Sequence, residues 1–376
     1  MKKIIPLFFI LLIVKTVFAQ PAGSDGQPCN DDVIMKIKGT WKKGTDANMH
    51  ADKNLSQILS RIDKISSFYQ EANPHPAGTQ AKWYRTMERD PLIKDGPVPY
   101  QFFSMYPPWY CDQQQHKIML SGETGIWGYA FVNSFGWWVS DQYDLLTIKV
   151  NGNNVYILPP EKGIWKGYTL YQNSAHEDES YCILLTHDHN HEPLWKPITQ
   201  EEYLRAVREA WEAQKKEALD YYAKYEEGMK KGIIEIQNNK NLKEDAKKTI
   251  IAGMQKNLDD FEKTKETKIA ESNKLFDDKI IVIDKYVKQN TALLQQPAVI
   301  ERKMMNDFTG SFSTVQNGGQ TLACFNPAYF NMKLPSYSPQ FIVLEWRWEK
   351  NVSGYTFKKQ IEENFPVEKL KEMIDK

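Results

Sequence analysis

A long charged segment, residues 199–275, restricts this chain more than any other stretch, because its apolar residues return every three or four positions. Pro197-Ile198-Thr199-Gln200-Glu201-Glu202 marks its start. Thr199 is the N-cap, and Glu202, three residues on, completes a capping box that satisfies otherwise orphaned N–H groups. Leu204, Val207, Trp211, Ala218, Tyr222, Tyr225 and Met229 then share one helical face. The other faces carry acid-first pairs four residues apart, Glu212/Lys216, Asp220/Lys224, Glu226/Lys230 and Glu227/Lys231, each worth roughly 0.2–0.5 kcal/mol in an isolated helix.

Asn238-Asn239-Lys240-Asn241 has the composition of a turn. A second stripe follows it: Ile250/Ile251, Met254, Leu258, Phe261, Ile269 and Leu275/Phe276. Two stripes joined by a short polar turn fold back on each other as an antiparallel helical hairpin. Residues 199–279 hold 17 basic against 18 acidic side chains, so the hairpin is no basic arm for nucleic acid or anionic lipid. Gln214, Gly228 and Gly232 interrupt the stripe, so a tight coiled-coil dimer is not demanded. The hairpin reads as a solvated spacer or as a docking arm for another protein.

Residues 1–19 read as a secretory signal peptide: Lys2 and Lys3, an apolar run over 4–14, then Val17 and Ala19 at the −3 and −1 positions of a cleavage site. No later stretch approaches 18 uncharged apolar residues, so no transmembrane segment is expected in the mature chain. Cleavage would remove Lys2, Lys3 and Lys15 and take the formal charge from 0 to −3, which leaves no electrostatic case for nucleic acid. The expected location is periplasmic or extracellular. In that compartment Cys29, Cys111, Cys182 and Cys324 allow up to two disulfides in three pairings, and their spacing fits no metal knuckle.

The fold class expected is α+β: an antiparallel aromatic-rich sheet with a covering helix, the long charged hairpin, and a small mixed C-terminal part. A flexible lead occupies 20–32, an α+β domain 33–198, the hairpin region 199–296, and strands with a helix 297–376. The last part either stands alone or completes the N-terminal domain. Residues 33–41 are expected as a first strand. Leu55, Ile58, Leu59, Ile62, Ile65 and Phe68 make a helix ended at Asn73-Pro74. Residues 91–108 are expected to be irregular. Seven short strands follow before the hairpin, and Asn151-Gly152 is the strongest hairpin signal in the chain. Beyond the hairpin, 308–312 and 340–348 read as strands, and Pro366 opens a helical tail.

Two features carry candidate chemistry. His187, His189 and His191 alternate, so on an extended strand three imidazoles would share a face and suit zinc with an open fourth position. Their setting, after Ile183-Leu184-Leu185 and before Pro193-Leu194-Trp195 and rich in Asp and Asn, works against this and favours an exposed hairpin turn. The second feature is aromatic density. Such rings first suit a packed core, since a Trp is usually mostly buried. As the alternative, Trp109, Trp127, Tyr129, Trp137, Trp138 and Trp165 are candidates for a surface that binds a peptide or glycan, rings combining an apolar face with a polar edge. In Ile126-Trp127-Gly128-Tyr129-Ala130-Phe131 the three rings alternate with small residues and share one face. No G-x-S-x-G, H-E-x-x-H, Walker or G-x-G-x-x-G motif is present. The chain therefore reads as an exported, non-enzymatic binding or scaffold protein with no cofactor. The alternative reading is a secreted hydrolase assisted by metal at the three histidines.

Overall fold

The structure is a computed structural model that describes residues 29–50, 52–88, 91–112, 114–115, 117–136, 148–172, 179–187, 192–301 and 307–376. The expected signal peptide and most of the lead lie outside them, as do Trp137, Trp138, His189 and His191. The first elements are helix α1 (Asp31–Ile34), strand β1 (Trp41–Lys43) and helix α2 (Leu55–Ala72), followed by β2 (Ala81–Met87) and β3 (Tyr100–Met105). Next come β4 (Trp109–Asp112), β5 (Lys117–Leu120), β6 (Trp127–Val132), β7 (Lys149–Val150) and β8 (Asn153–Ile157). Then follow β9 (Glu161–Trp165), β10 (Tyr168–Tyr171), β11 (Ser180–Leu185) and β12 (Trp195–Pro197). Two long helices, α3 (Gln200–Asn238) and α4 (Glu244–Gln289), form the hairpin. The chain ends with β13 (Val299–Ile300), β14 (Gln320–Phe325), β15 (Ile342–Arg347), α5 (Val352–Asn364) and α6 (Val367–Lys371). The protein is α+β. Among the described residues no helix is long and apolar enough to cross a membrane.

The chain divides into two compact units. The first takes the described residues up to Met87 together with Tyr100–Ala130 and Glu345–Leu370. Its sheet has the order β1-β2-β3-β6-β15. β2 and β3 pair antiparallel with Tyr84 opposite Phe103, whereas β1 runs parallel to β2 with Trp41 opposite Ala81. α2 covers one face and buries Ile58, Ile62, Ile65 and Tyr69 completely, at the spacing of one helical stripe. α5 packs beside it: its N-cap Asn351 accepts a 2.8 Å hydrogen bond from the Gly354 N–H, and Phe357 lies 4.4 Å from Tyr106. β4 and β5 form a separate two-stranded hairpin, and Cys111 on β4 is bonded to Cys29, with Cα atoms 5.6 Å apart.

The second unit comprises Glu88–Pro99, Phe131–Leu344 and Lys371–Lys376. Here Ile342–Leu344 begins the order β15-β11-β10-β9, and a further sheet runs β12-β14-β8-β7 with β13 on β14. Asn151 and Gly152 turn between β7 and β8 with φ of 52° and 82°, the left-handed pair that a two-residue hairpin demands. The capping box forms as the sequence implies: the Thr199 N–H donates to Glu202 Oε2 at 2.8 Å and the Glu202 N–H to Thr199 Oγ1 at 3.2 Å. The hairpin is rooted by Tyr203, Leu204 and Val207 of α3 and Ile283 and Tyr286 of α4, which bury against Val150, Ile157 and Leu322. Tyr286 Oη donates to the buried Gln200 Oε1 at 2.8 Å. Beyond Val207 the only buried residue of α3 is Ile233, while α4 buries Leu258, Phe261 and Phe276 along the arm. The arm is held by ring contacts such as Trp211–Phe276 (6.0 Å) and Tyr225–Phe261 (4.8 Å), with exposed cross-helix pairs such as Arg208–Asp284 (2.5 Å) and Lys215–Asp277 (2.8 Å) beside them.

Several local expectations are corrected. The first strand begins only at Trp41, and residues 33–40 are not part of it, because the Asn30 side chain accepts from the Val33 N–H and starts α1, with Asp31 and Asp32 in its first turn. Residues 91–108 are not wholly irregular, since β3 lies among them. No strand forms at 308–312; Phe308 and Phe312 instead pack their rings against Tyr286 at 5.1 and 5.4 Å. β14 and α5 were not anticipated.

Candidate functional site

The aromatic face of the first unit is built by a glycine. A Cβ on Gly128 would lie 2.5 Å from Tyr69 Cε1 and 2.9 Å from Ser104 Oγ, so the small residues of β6 face α2. Trp127 and Tyr129 alternate with Gly128 and therefore stand on the opposite face. Tyr69 fixes this arrangement. Its ring stacks on Phe102 with centroids 4.7 Å apart, meets Phe365 edge-on at 4.9 Å, and its hydroxyl donates to the Tyr129 carbonyl at 2.9 Å and to the Glu345 carbonyl at 3.4 Å. Burial pushes the Tyr69 phenol well above its ordinary range, so it remains a donor.

On the face away from α2 the rings form a row. Tyr84 on β2 and Phe103 on β3 stack with centroids 4.6 Å apart and planes 10° from parallel. Phe103 lies 6.4 Å from both Trp127 and Tyr129, and those two are 5.9 Å apart and 11° from parallel. All four residues are half-buried. The backbone of Gly44 closes one end of the row, where a Cβ would sit 2.1 Å from Tyr84 Cε1. Trp127 Nε1 donates to the Thr124 carbonyl at 2.8 Å, which sets the plane of the indole. Trp346 is buried and its Nε1 reaches Glu362 Oε1 of α5 at 3.3 Å, so alternation puts Glu345 and Arg347 on the ring side. Burial raises the Tyr129 phenol far above its usual value; the Glu345 charge adds to this and Arg347 opposes it. The result is a row of ring edges with phenol hydroxyls and a guanidinium beside them.

On the buried side, Arg85 bonds two carboxylates. Its Nε and Nη2 donate to Asp46 at 3.0 and 2.5 Å, and Nη1 donates to both oxygens of Asp63 on α2 at 3.2 Å. The guanidinium beside Asp46 holds that carboxyl below its ordinary value, and the same bond raises Arg85. This clamp anchors β2, and with it Tyr84, to the covering helix.

Of the aromatic residues singled out from the sequence, Trp127 and Tyr129 come together. Trp109 lies on β4, and its Nε1 is buried without a hydrogen-bond partner among the described residues. Trp165 lies on β9 in the second unit, with Lys166 Nζ 5.1 Å over its ring. Trp137 and Trp138 lie outside the described residues. Tyr84 and Phe103 were missed. Their signal was the alternation in A-K-W-Y-R-T-M and Y-Q-F-F-S-M, but Phe103 fell in a stretch that proline made look irregular.

His187 belongs to the second unit. It is buried rather than exposed: Nδ1 lies 2.5 Å from Asp375 Oδ2, its backbone N–H donates to Tyr329 Oη at 3.1 Å, and its ring packs 4.5 Å from the Tyr329 ring. His189 and His191 lie outside the described residues, and among the described residues no cluster of three or more His, Cys, Asp or Glu is placed to hold a metal ion. Cys324 is buried, its thiol pushed up to about 11 by desolvation with the Glu202 charge adding, which leaves it protonated and unreactive at neutral pH. No family model, no curated protein and no solved structure matches this chain.

Proposed function

We propose that the chain is an exported, non-enzymatic binding protein that holds an extended peptide segment of a partner against the row Tyr84–Phe103–Trp127–Tyr129, with the hairpin as a docking arm. The observation that carries this reading is the row itself: four half-buried rings side by side on the sheet face away from α2. Half-buried rings keep apolar area that a ligand removes from water, while their own packing holds them in place, so little side-chain entropy is lost on binding. A peptide is favoured over a glycan by the stacking. Tyr84 and Phe103 cover one another's faces, so they present edges and a hydroxyl to a ligand, whereas a sugar stacks on a free face. Export is supported by the signal-like start and by the Cys29–Cys111 bond, since disulfides persist in oxidising compartments.

The test is a peptide array probed with the purified chain, followed by fluorescence titration of the best binders. Trp127→Ala and Phe103→Ala are expected to weaken such a binder by about ten-fold or more, as truncation of a central aromatic does, while Trp165→Ala leaves it unchanged. No binder, or one insensitive to the first two changes, would sink the reading.

A further inference from the structure

We propose that the hairpin is the arm through which this chain pairs with a second copy of itself, antiparallel, across a two-fold axis level with Tyr222 and Thr264. The inference rests on the docking-arm reading above and names the partner.

Three observations within the hairpin meet at that level. The first is an aromatic groove. About 30 Å along α3 from its start, on the rise of a regular helix, an open groove of about 650 Å³ runs along the seam of the two helices. Tyr225 packs 4.8 Å from Phe261 there, and Tyr221 lies 6.0 Å from Tyr225. Tyr221 is 61% exposed and Tyr225 36%, on an arm whose other outward positions are mostly charged. A two-helix hairpin gives each helix one neighbour and leaves such rings half-covered; tyrosine in that position is what interface centres are enriched in.

The second observation is a charge pattern. Asp260 and Lys268 both line the groove, each four residues from Thr264 on the same helical stripe, and Asn257 lines it one turn beyond Asp260. Asp260 has only the exposed Lys263 at 3.6 Å, and Lys268 has no ion-pair partner among the described residues. The contacts of Tyr225 with Phe261, and of the Gly232 position with Met254, set the helices so that Tyr222 is level with Thr264. A two-fold axis at that level places Asp260 against Lys268 of the second copy, and Lys268 against its Asp260. An acidic or a basic partner would meet one of the two with like charge. A second copy meets both with opposite charge, the signature of a self-complementary surface.

The third observation is a fit of shape, independent of charge. The stripe of α4 through Thr264 continues to Gly253 in one direction and Leu275 in the other, each eleven residues away. No atom lies within 4 Å of where a Cβ on Gly253 would be, and Leu275 is 56% exposed. The same axis lays Leu275 of the second copy on Gly253, a side chain against a gap, at both ends. Closing the groove brings the tyrosines of both copies together at its centre.

Sedimentation velocity on the purified chain between about 1 and 100 µM tests this, micromolar being the range expected of a contact of modest size. A dimer is expected, and a chain that is monomeric throughout overturns the proposal. Asp260→Lys alone and Lys268→Asp alone are each expected to weaken the dimer by about ten-fold or more, since symmetry makes each change act twice. The double variant is expected to restore it, because the pair is re-formed in reverse. Single variants that weaken association without rescue in the double, at unchanged circular dichroism, overturn the two-fold register. A photo-crosslinking residue at Tyr221 in the producing cell separates the readings. An adduct of twice the chain mass supports the second copy. Adducts with other proteins alone overturn it and leave the docking arm standing. No adduct overturns both.

Discussion

A methyl group added to Gly128 would sit 2.5 Å from Cε1 of Tyr69, closer than any carbon pair tolerates. That contact decides which side of β6 faces the covering helix, and so which side carries Trp127 and Tyr129. Gly128→Ala is expected to cost about 1–3 kcal/mol, the range for overpacking a dense core, read as a lower urea midpoint at unchanged slope. Gly122→Ala, where nothing lies within 4 Å, serves as the comparison and is expected to change little. Equal effects at the two positions would refute the packing argument.

Tyr69 donates to two main-chain carbonyls from a fully buried position. Tyr69→Phe keeps the stack on Phe102 and removes only the donor, leaving both acceptors short. The expected loss is about 1–2 kcal/mol in chemical denaturation. A neutral substitution would mean that water reaches those carbonyls.

The Asp46–Arg85 pair sets an acid dependence. The folded carboxyl titrates below its ordinary 3.8, so its contribution is fully present above that value and is lost as pH falls towards the folded one. Asp46→Asn lacks the contribution at every pH. The gap in urea midpoint between wild type and variant should therefore be widest near neutrality, begin to close below about pH 4, and vanish in stronger acid. A gap that holds constant into acid would argue against an ionised Asp46.

The disulfide joins positions 82 residues apart, and a loop of that size implies roughly 4 kcal/mol from restricting the unfolded chain. Replacing Cys29 and Cys111 together by Ser should lower the midpoint accordingly, and reduction of the native chain should do the same. The same reduction of the double Ser variant should do nothing further, because Cys182 and Cys324 are both buried and take no part in a disulfide.

The hairpin divides into a rooted base and a projecting arm. Replacing residues 217–274 with a four-residue Gly/Ser linker spans the ~10 Å between packed helices and keeps the Lys215–Asp277 pair. The shortened chain should fold, with reduced helical signal and a melting temperature within about 3 °C of the original. Removing 199–289 should aggregate, because Tyr203, Val207, Ile283 and Tyr286 cover Ile157 and Leu322. If both deletions behave alike, the division is wrong.

What the sequence settled by itself was local. The capping box at Thr199 and Glu202, the 3.6-residue stripes of the hairpin, the helix ending at Asn73-Pro74 and the turn at Asn151-Gly152 each depend on residues within a few positions of one another. Hydrogen bonding and steric preference over that range are legible from composition and spacing. Tertiary structure decided the rest. A strand's alternation defines two faces but not which one a helix will cover; Tyr69, 59 residues before Gly128, made that choice by fitting only over the glycine. The ring row unites Tyr84, Phe103 and Trp127 from three strands, and the pairing that aligns them is set by register rather than by any local signal. The partner of Cys111 and the burial of His187 against Asp375 were equally beyond reach, since each joins residues more than 80 positions apart that meet only once the chain has packed.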